Sequence, residues 1–166
     1  MSLRFDREEI EDLVATPYGK GRMFALLALL YPGIDARNQF HVDHVFPRSR
    51  FTLKRLAQAG IASDEIPEFM DRVNRLPNLQ LLEGPINQSK LSMLPLGWAQ
   101  AQHPDTKQRG LYLAGHDLDG LPVDLSGFLD FFDRRQRLMA DRLSALLGVE
   151  KETSSSAAST TASPDS

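Results

Sequence analysis

The stretch FHVDHVFPRSRF, Phe40 to Phe51, followed after an excursion by NLQLLEGPINQSK, Asn78 to Lys90, decides how the chain is read. Phe40 to Phe46 alternates in part between apolar and polar residues and runs into Pro47, the pattern of a short strand entering a loop. Leu79 to Leu82 reads as a second short strand. Gly84-Pro85 then opens a helix through about Met93, with proline in the first turn, where its missing N–H is no loss. The order is strand, excursion, strand, helix, over about residues 39–93.

Outward from this unit the signals are helical. Asp6 with Glu9 has the form of a capping box ahead of Ile10, Leu13 and Val14, which predicts a helix ending near Ala15. Thr16-Pro17 is expected to restart a helix, and Met23 to Tyr31 reads as a buried helix stopped by Pro32-Gly33. Phe51 to Ala59 and Ser63 to Val73 also look helical, whereas Pro95 to Pro122 is rich in turn residues and yields no assignment. Phe128, Phe132, Met139, Leu143 and Leu146 recur at helical spacing. The expected fold class is therefore α+β: a mainly helical domain over residues 1–149, with flanking helices at 6–31 and 126–147 and an inserted two-strand-and-helix motif. The Ser/Thr/Ala run over 150–166 lacks the apolar surface to offset ordering entropy and is expected to be disordered.

Composition narrows the chemistry. The chain has 166 residues, 42% of them hydrophobic, enough for one continuous core. It has no cysteine, which excludes disulfides, thiolate nucleophiles and cysteine-rich zinc knuckles. The start is charged and the longest apolar run, Met23 to Tyr31, is too short for a bilayer, so a soluble cytoplasmic protein without membrane contact is expected. A net charge of −3 argues against gripping nucleic acid over the whole surface, because nonspecific affinity comes from neutralised phosphates. Arg37, Arg48, Arg50, Lys54 and Arg55, set against the single Asp43, form a local basic patch instead.

Asp43-His44 followed by Pro47, then Asn78, then Asn87 with Lys90, resembles the HNH (ββα-metal) endonuclease superfamily. The wording is most similar to the nuclease domain of GmrSD-type modification-dependent restriction enzymes, over roughly Tyr18 to Leu147, and, over Phe40 to Lys90 only, to the HNH domain of CRISPR effector nucleases. The resemblance implies that Asp43 holds a metal ion, that His44 is the general base, that Asn78 braces the loop between the strands, and that Asn87 is the second ligand. Many relatives carry histidine where Asn87 stands. A carboxylate and an amide oxygen favour one hard ion, Mg²⁺ with Mn²⁺ as substitute, over tight zinc. Cutting a phosphodiester requires a base for the attacking water and a cation for the charge on the phosphoryl group, which is why these residue types belong together.

Around this centre, Arg48, Arg50 and Lys90 are candidate nucleic-acid contacts, and His41, two residues from Asp43 on a strand, is a candidate third ligand or phosphate donor. Adjacent strand residues face opposite ways, so bringing Asp43 and His44 to one site requires a strand end or a bulge. Each of these residues also has a plainer reading. Asp43-His44 alone fits a buried histidine satisfied by a carbonyl, Asn78 a strand-entry cap, and Lys90 an exposed helix lysine. His103 and His116 sit in turn-like surface sequence; Asp117, Asp119 and Gly120 read as a turn, not a calcium loop; Trp98 reads as a packing anchor. Arg134, Arg135, Arg137 and Arg142 read as a solvated helix face. The partner is expected to be DNA, with an N-terminal nucleotide-handling domain or separate subunit outside this chain. The rivals are a catalytically silent nucleic-acid-binding or interaction module, and an RNA-directed or toxin-like nuclease using the same site.

Overall fold

The structure, a computed structural model, describes residues 5–35 and 37–149. The tail expected at 150–166 lies outside the described residues. Among them the fold is α+β, with one small antiparallel sheet set among helices. Helix α1, Arg7–Val14, opens on the expected capping box: Asp6 Oδ1 accepts from the Glu9 N–H and Glu9 Oε2 accepts from the Asp6 N–H, both at 2.9 Å. Helix α2, Arg22–Leu30, follows. The helix start expected at Thr16-Pro17 does not form. Those residues instead pair with the chain ahead of the second strand: Pro17 bridges to Arg75, Tyr18 N–H donates to Asn74 O at 2.6 Å, and Leu76 N–H donates to Thr16 O at 3.0 Å. Backbone donors used in this ladder cannot serve a helix turn.

Strand β1 is Phe40–His44 and β2 is Leu79–Glu83, paired with Phe40 opposite Glu83 and His44 opposite Leu79. β1 stops two residues short of the expected Phe46, because the Val45 and Phe46 N–H groups leave the ladder for the backbone and side chain of Asn78. Between the strands lie helices α3, Leu53–Gln58, and α4, Ile66–Arg72. Helix α5, Gly84–Lys90, continues directly from β2 and ends at Leu91, whose φ of 48° breaks the helical path. The turn-rich stretch without a clear pattern contains two helices: α6, Pro95–Gln102, and α7, Thr106–Gly115, the latter capped by Asp105. Helix α8, Phe128–Leu147, closes the fold and ends on Gly148 in the left-handed region.

The β ribbon lies between two hydrophobic cores. One gathers Phe46, Phe51, Phe69, Trp98, Phe128 and Phe131 with Leu82; the other gathers Ile10, Met23, Leu27, Met139 and Leu143 with Leu79, and Val42 and Leu81 pack against it. α8 spans both, contributing its phenylalanines to one and Met139 and Leu143 to the other. Between them Arg135 is completely buried and donates from one nitrogen to the carbonyls of Pro77 and Leu79, at 2.9 and 2.8 Å. The solvated arginine face expected on α8 holds for Arg137, which is exposed, and is corrected for the other three. Arg135 ties α8 to the turn that enters β2, Arg134 donates to the carbonyls of Asp119 and Gly120, and Arg142 pairs with Asp117. Asp117 also accepts from the Tyr31 hydroxyl, so this turn is an internal tie.

Candidate functional site

The register of the ribbon sorts its side chains into two sets. Residues directly opposite on antiparallel strands share a face, and successive residues alternate. His41, Asp43, Gln80 and Leu82 therefore lie on one face, and Phe40, Val42, His44, Leu79 and Leu81 on the other. No bulge intervenes as far as His44, the last residue of β1. Asp43 and His44 sit at the strand end but on opposite sides of it.

On the first face, α5 comes close. A Cβ added at Gly84 would lie 3.3 Å from His41 Nε2, so glycine at this position lets the first turn of α5 lie against the His41 ring. At the other end of α5, Lys90 Nζ donates to Asp43 Oδ2 at 2.7 Å, to the Val45 carbonyl at 3.0 Å and to the His44 carbonyl. An ammonium has three hydrogens, and all three are committed here. The Lys90 side chain is 1% exposed, which corrects both its reading as a surface lysine and its candidacy as a phosphate contact. Burial pulls its pKa down from the ordinary lysine value, against the pull of the Asp43 carboxylate. Asn87 lies midway along the stripe from Gly84 to Lys90, at three-residue spacing on one side of the helix. It is half-buried, and its amide makes no hydrogen bond to the described residues.

Asp43 Oδ2 accepts a second bond, from Gln80 Nε2 at 3.1 Å. Gln80 is almost fully buried, and its Oε1 accepts from the Tyr112 hydroxyl of α7 at 3.3 Å. Burial pushes the Tyr112 hydroxyl up to about 12, so it keeps its proton. Both donors to Asp43 use Oδ2, and Oδ1 takes no hydrogen bond from the described residues. Tyr112 stacks on His103 and packs beside His116, whose Nδ1 lies 2.8 Å from the Tyr112 carbonyl. Neither histidine is the loose surface residue that its turn-rich sequence suggested. Trp98 is buried in the core, as its reading as an anchor requires.

On the second face the His44 ring lies 4.8 Å from the Tyr18 ring, centroid to centroid, and His44 Nε2 lies 3.0 Å from Asn74 Oδ1. An amide oxygen only accepts, so this bond places the proton on Nε2 and leaves the Nδ1 lone pair as the basic site. Burial holds the ring below the ordinary histidine range; the Asn74 bond and the Asp43 charge oppose that shift, while Lys90 and Arg48 add to it. The ring is accordingly neutral at pH 7, the state a general base needs. Sequence reading missed Asn74 and Tyr18. Both come from the ladder between the Thr16–Tyr18 segment and the Asn74–Leu76 segment, a long-range pairing without periodicity.

Asn78 is fully buried and joins the two strand ends. Its Oδ1 accepts from the Phe46 N–H at 2.9 Å, and its Nδ2 donates to the carbonyls of Phe46 and Val73 at 3.1 and 2.9 Å. The loop that leaves His44 is thus pinned to the turn that enters β2. Beyond it, Arg48 is exposed, and Arg50 donates from Nε to the Ser92 carbonyl at 3.0 Å. Arg50 and Arg55 line an open cleft of about 450 Å³ with Gln58, Ser92 and Asp124. Arg37 is removed from the basic patch, since it pairs with Asp35 at 2.7 Å.

The chain matches no protein-family model and no curated protein.

The metal implied by the resemblance can be tested against the donor set. Among the described residues, no group of three His, Cys, Asp or Glu side chains is placed to enclose an ion. Asp43 Oδ1 and the unbonded Asn87 amide are instead two hard oxygen donors. By donor type this suits an ion that keeps several waters or phosphate oxygens and does not suit a tightly caged one, Asn87 joining Asp43 only as the resemblance implies. Lys90, by neutralising much of the Asp43 charge, weakens such a site further.

Proposed function

We propose that this chain is a metal-dependent endonuclease that hydrolyses DNA phosphodiester bonds. The observation that carries the reading is the pairing at the end of β1 of a neutral histidine, oriented through Nε2 with Nδ1 left basic, and a carboxylate bonded through one oxygen with the other left open. In-line displacement at phosphorus needs the attacking water and the leaving oxygen on opposite sides. His44 and Asp43 are consecutive at the end of β1, where the chain leaves the sheet, so a phosphate beyond that end would meet the base from one and the cation from the other. His44 takes the proton of the attacking water at Nδ1, Asn74 holds the ring, and Asn78 fixes the backbone that carries it. Asp43 and Asn87 would hold one Mg²⁺ or Mn²⁺, which supplies charge stabilisation for the phosphoryl and leaving oxygens when bound. Arg48 and Arg50 flank this strand end as phosphate contacts. By its motif wording the chain would be the nuclease part of a restriction or phage-defence system, with target choice residing in a partner domain or subunit.

One observation favours a second reading. The Lys90 ammonium already satisfies Asp43, as an internal cation does in a catalytically silent binding module. Incubating the protein with supercoiled plasmid and with RNA, in Mg²⁺, Mn²⁺ or chelator, decides between them. The nuclease reading expects plasmid nicking that requires metal and falls about 10²–10⁴-fold in His44→Ala, the range that a general base contributes. Retarded plasmid migration without strand breaks under every metal condition would establish the binding module, and cleavage confined to RNA would move the substrate class.

A further inference from the structure

The mechanism above leaves one buried arrangement unused, the relay from α7 through β2 to Asp43. We propose that Gln80 and Tyr112 are positioning residues that fix which oxygen of the Asp43 carboxylate is offered to a cation, an inference that rests on the metal-site reading above. A glutamine side chain can present either end of its amide, and buried amides are retained only when both ends are satisfied. The Asp43 carboxylate only accepts, so Gln80 turns Nε2 toward it at 3.1 Å, and Tyr112 then holds the amide in place, its hydroxyl, still protonated, donating to Oε1 at 3.3 Å. Lys90 takes the same oxygen, Oδ2, at 2.7 Å. With Oδ2 doubly bonded, carboxylate rotation is stopped and Oδ1 is left without a protein donor. Lys90 holds Oδ2 from α5 and Gln80 holds it from β2, so two donors from different elements fix the plane of the carboxylate.

This assigns a task to α7, which shows no periodic signal in the sequence and touches the ribbon through Tyr112. Polar groups outside the ligands commonly tune a metal site by orienting them, and their loss costs roughly 10–100-fold in metal affinity. Removing the Tyr112 hydroxyl leaves Gln80 Oε1 without its donor and loosens the amide that holds Asp43 Oδ2. Gln80→Glu goes further, since it sets a second carboxylate against Asp43.

The test measures Mn²⁺ binding to the whole, folded protein by electron paramagnetic resonance, with the Gln80 side-chain amide signals followed by NMR in isotope-labelled protein. Wild type, Asp43→Asn, Tyr112→Phe and Gln80→Leu are compared, each checked for an intact fold. The expected result is that Asp43→Asn abolishes binding, that Tyr112→Phe and Gln80→Leu weaken it roughly tenfold, and that Tyr112→Phe shifts the Gln80 amide signals. The cleavage rate at saturating metal in Tyr112→Phe should stay near wild type while the metal concentration needed rises. Should Gln80→Leu fail to fold, Tyr112→Phe carries the test, because it deletes one oxygen only. Unchanged Mn²⁺ affinity in folded Tyr112→Phe, with binding still abolished in Asp43→Asn, overturns the relay and leaves the metal site standing. Wild-type protein that binds no Mn²⁺ overturns the metal site, and the relay falls with it.

Discussion

The two faces of the β ribbon are built from the same two short strands and do opposite things. Under one face, Phe40 aside, Val42, Leu79 and Leu81 are set against the second core, and His44 at the margin is the exception to an apolar pattern. Under the other, Asp43 and Gln80 are held among Lys90 and Tyr112, with Leu82 alone joining the first core. A buried polar cluster is expensive unless every member is bonded, and an apolar side chain of similar volume would fold as well or better. Retaining charge and amide on one face while the other, His44 aside, follows ordinary packing separates the ribbon into a polar side and an apolar side. Substitutions can disturb each side separately.

The largest expected effect lies on the polar face. Asp43→Ala removes the carboxylate and leaves the Lys90 ammonium buried with carbonyls only, a loss of about 3 kcal/mol or more. Lys90→Met in the same background removes the orphaned charge and should recover most of that stability without restoring metal binding. Urea unfolding of both single variants and the double variant measures the coupling; an Asp43→Ala protein as stable as wild type would show that Lys90 reaches solvent. Next comes the junction between the faces. Asn78→Ala strands the Phe46 N–H and the carbonyls of Phe46 and Val73, at about 1–3 kcal/mol for each group left unsatisfied. Asn78→Asp should be worse still, since it keeps one acceptor and aims a carboxylate at two carbonyls. If Asn78→Asp proves the milder change, the hydrogen bonds assigned to Nδ2 are wrong.

These residues are unequally legible in the chain itself. Strand, excursion, strand and helix can be read because alternation around Asp43 and the Gly84-Pro85 start are local signals, and the structure places both strands and α5 there. Asn78 stands out by its place ahead of Leu79-Gln80-Leu81. Asn74, Tyr18, Gln80 and Tyr112 do not, because each enters through a partner far away in sequence. Lys90 misleads because a lysine at the end of a short helix is ordinarily solvated, and only the fold shows that its ammonium lands on Asp43 and the end of β1. α6 and α7 escape notice because their apolar residues follow no clear helical stripe, α7 having no fully buried residue.

A smaller effect tests the exception on the apolar face. Burial lowers the His44 pKa and the Asn74 bond raises it, so Asn74→Ala should lower it further. NMR titration of the ring in chelator checks the sign: wild type titrates below 6.5 and Asn74→Ala lower again. Because the folded value lies below the unfolded one, the stability contributed by neutral His44 is fully present above pH 6.5 and is lost as the pH falls through the folded value. His103 and His116, also lowered by burial, act in the same direction, so the acid limb of stability should shrink but not vanish in His44→Gln. An Asn74→Ala titration that moves upward would mean that Asn74 turns its NH₂, and not its oxygen, toward the ring.

The smallest effect concerns the surface beyond the ribbon, where neither face is touched. Arg48 and Arg50 follow Pro47 in a short 3-10 turn, Arg48 exposed and Arg50 spending one N–H on the Ser92 carbonyl. Neither contributes to the core, so replacing both with Gln should leave unfolding nearly unchanged. Every phosphate that is no longer neutralised reduces the slope of log affinity against log salt by about 0.9 on duplex DNA. The double variant should therefore flatten that slope by up to about 1.8, while the single Arg50→Gln, already partly engaged inside the protein, should account for the lesser share. Measuring duplex binding by fluorescence anisotropy across a salt series, with chelator present to prevent cutting, separates this from catalysis. Arg37→Gln serves as the control, because its charge is paired with Asp35 and its removal should leave the slope alone. A slope changed by Arg37→Gln but not by Arg48 and Arg50 together would move the nucleic-acid surface from the exit of β1 to its entry. The His41 end of the ribbon would then face the backbone.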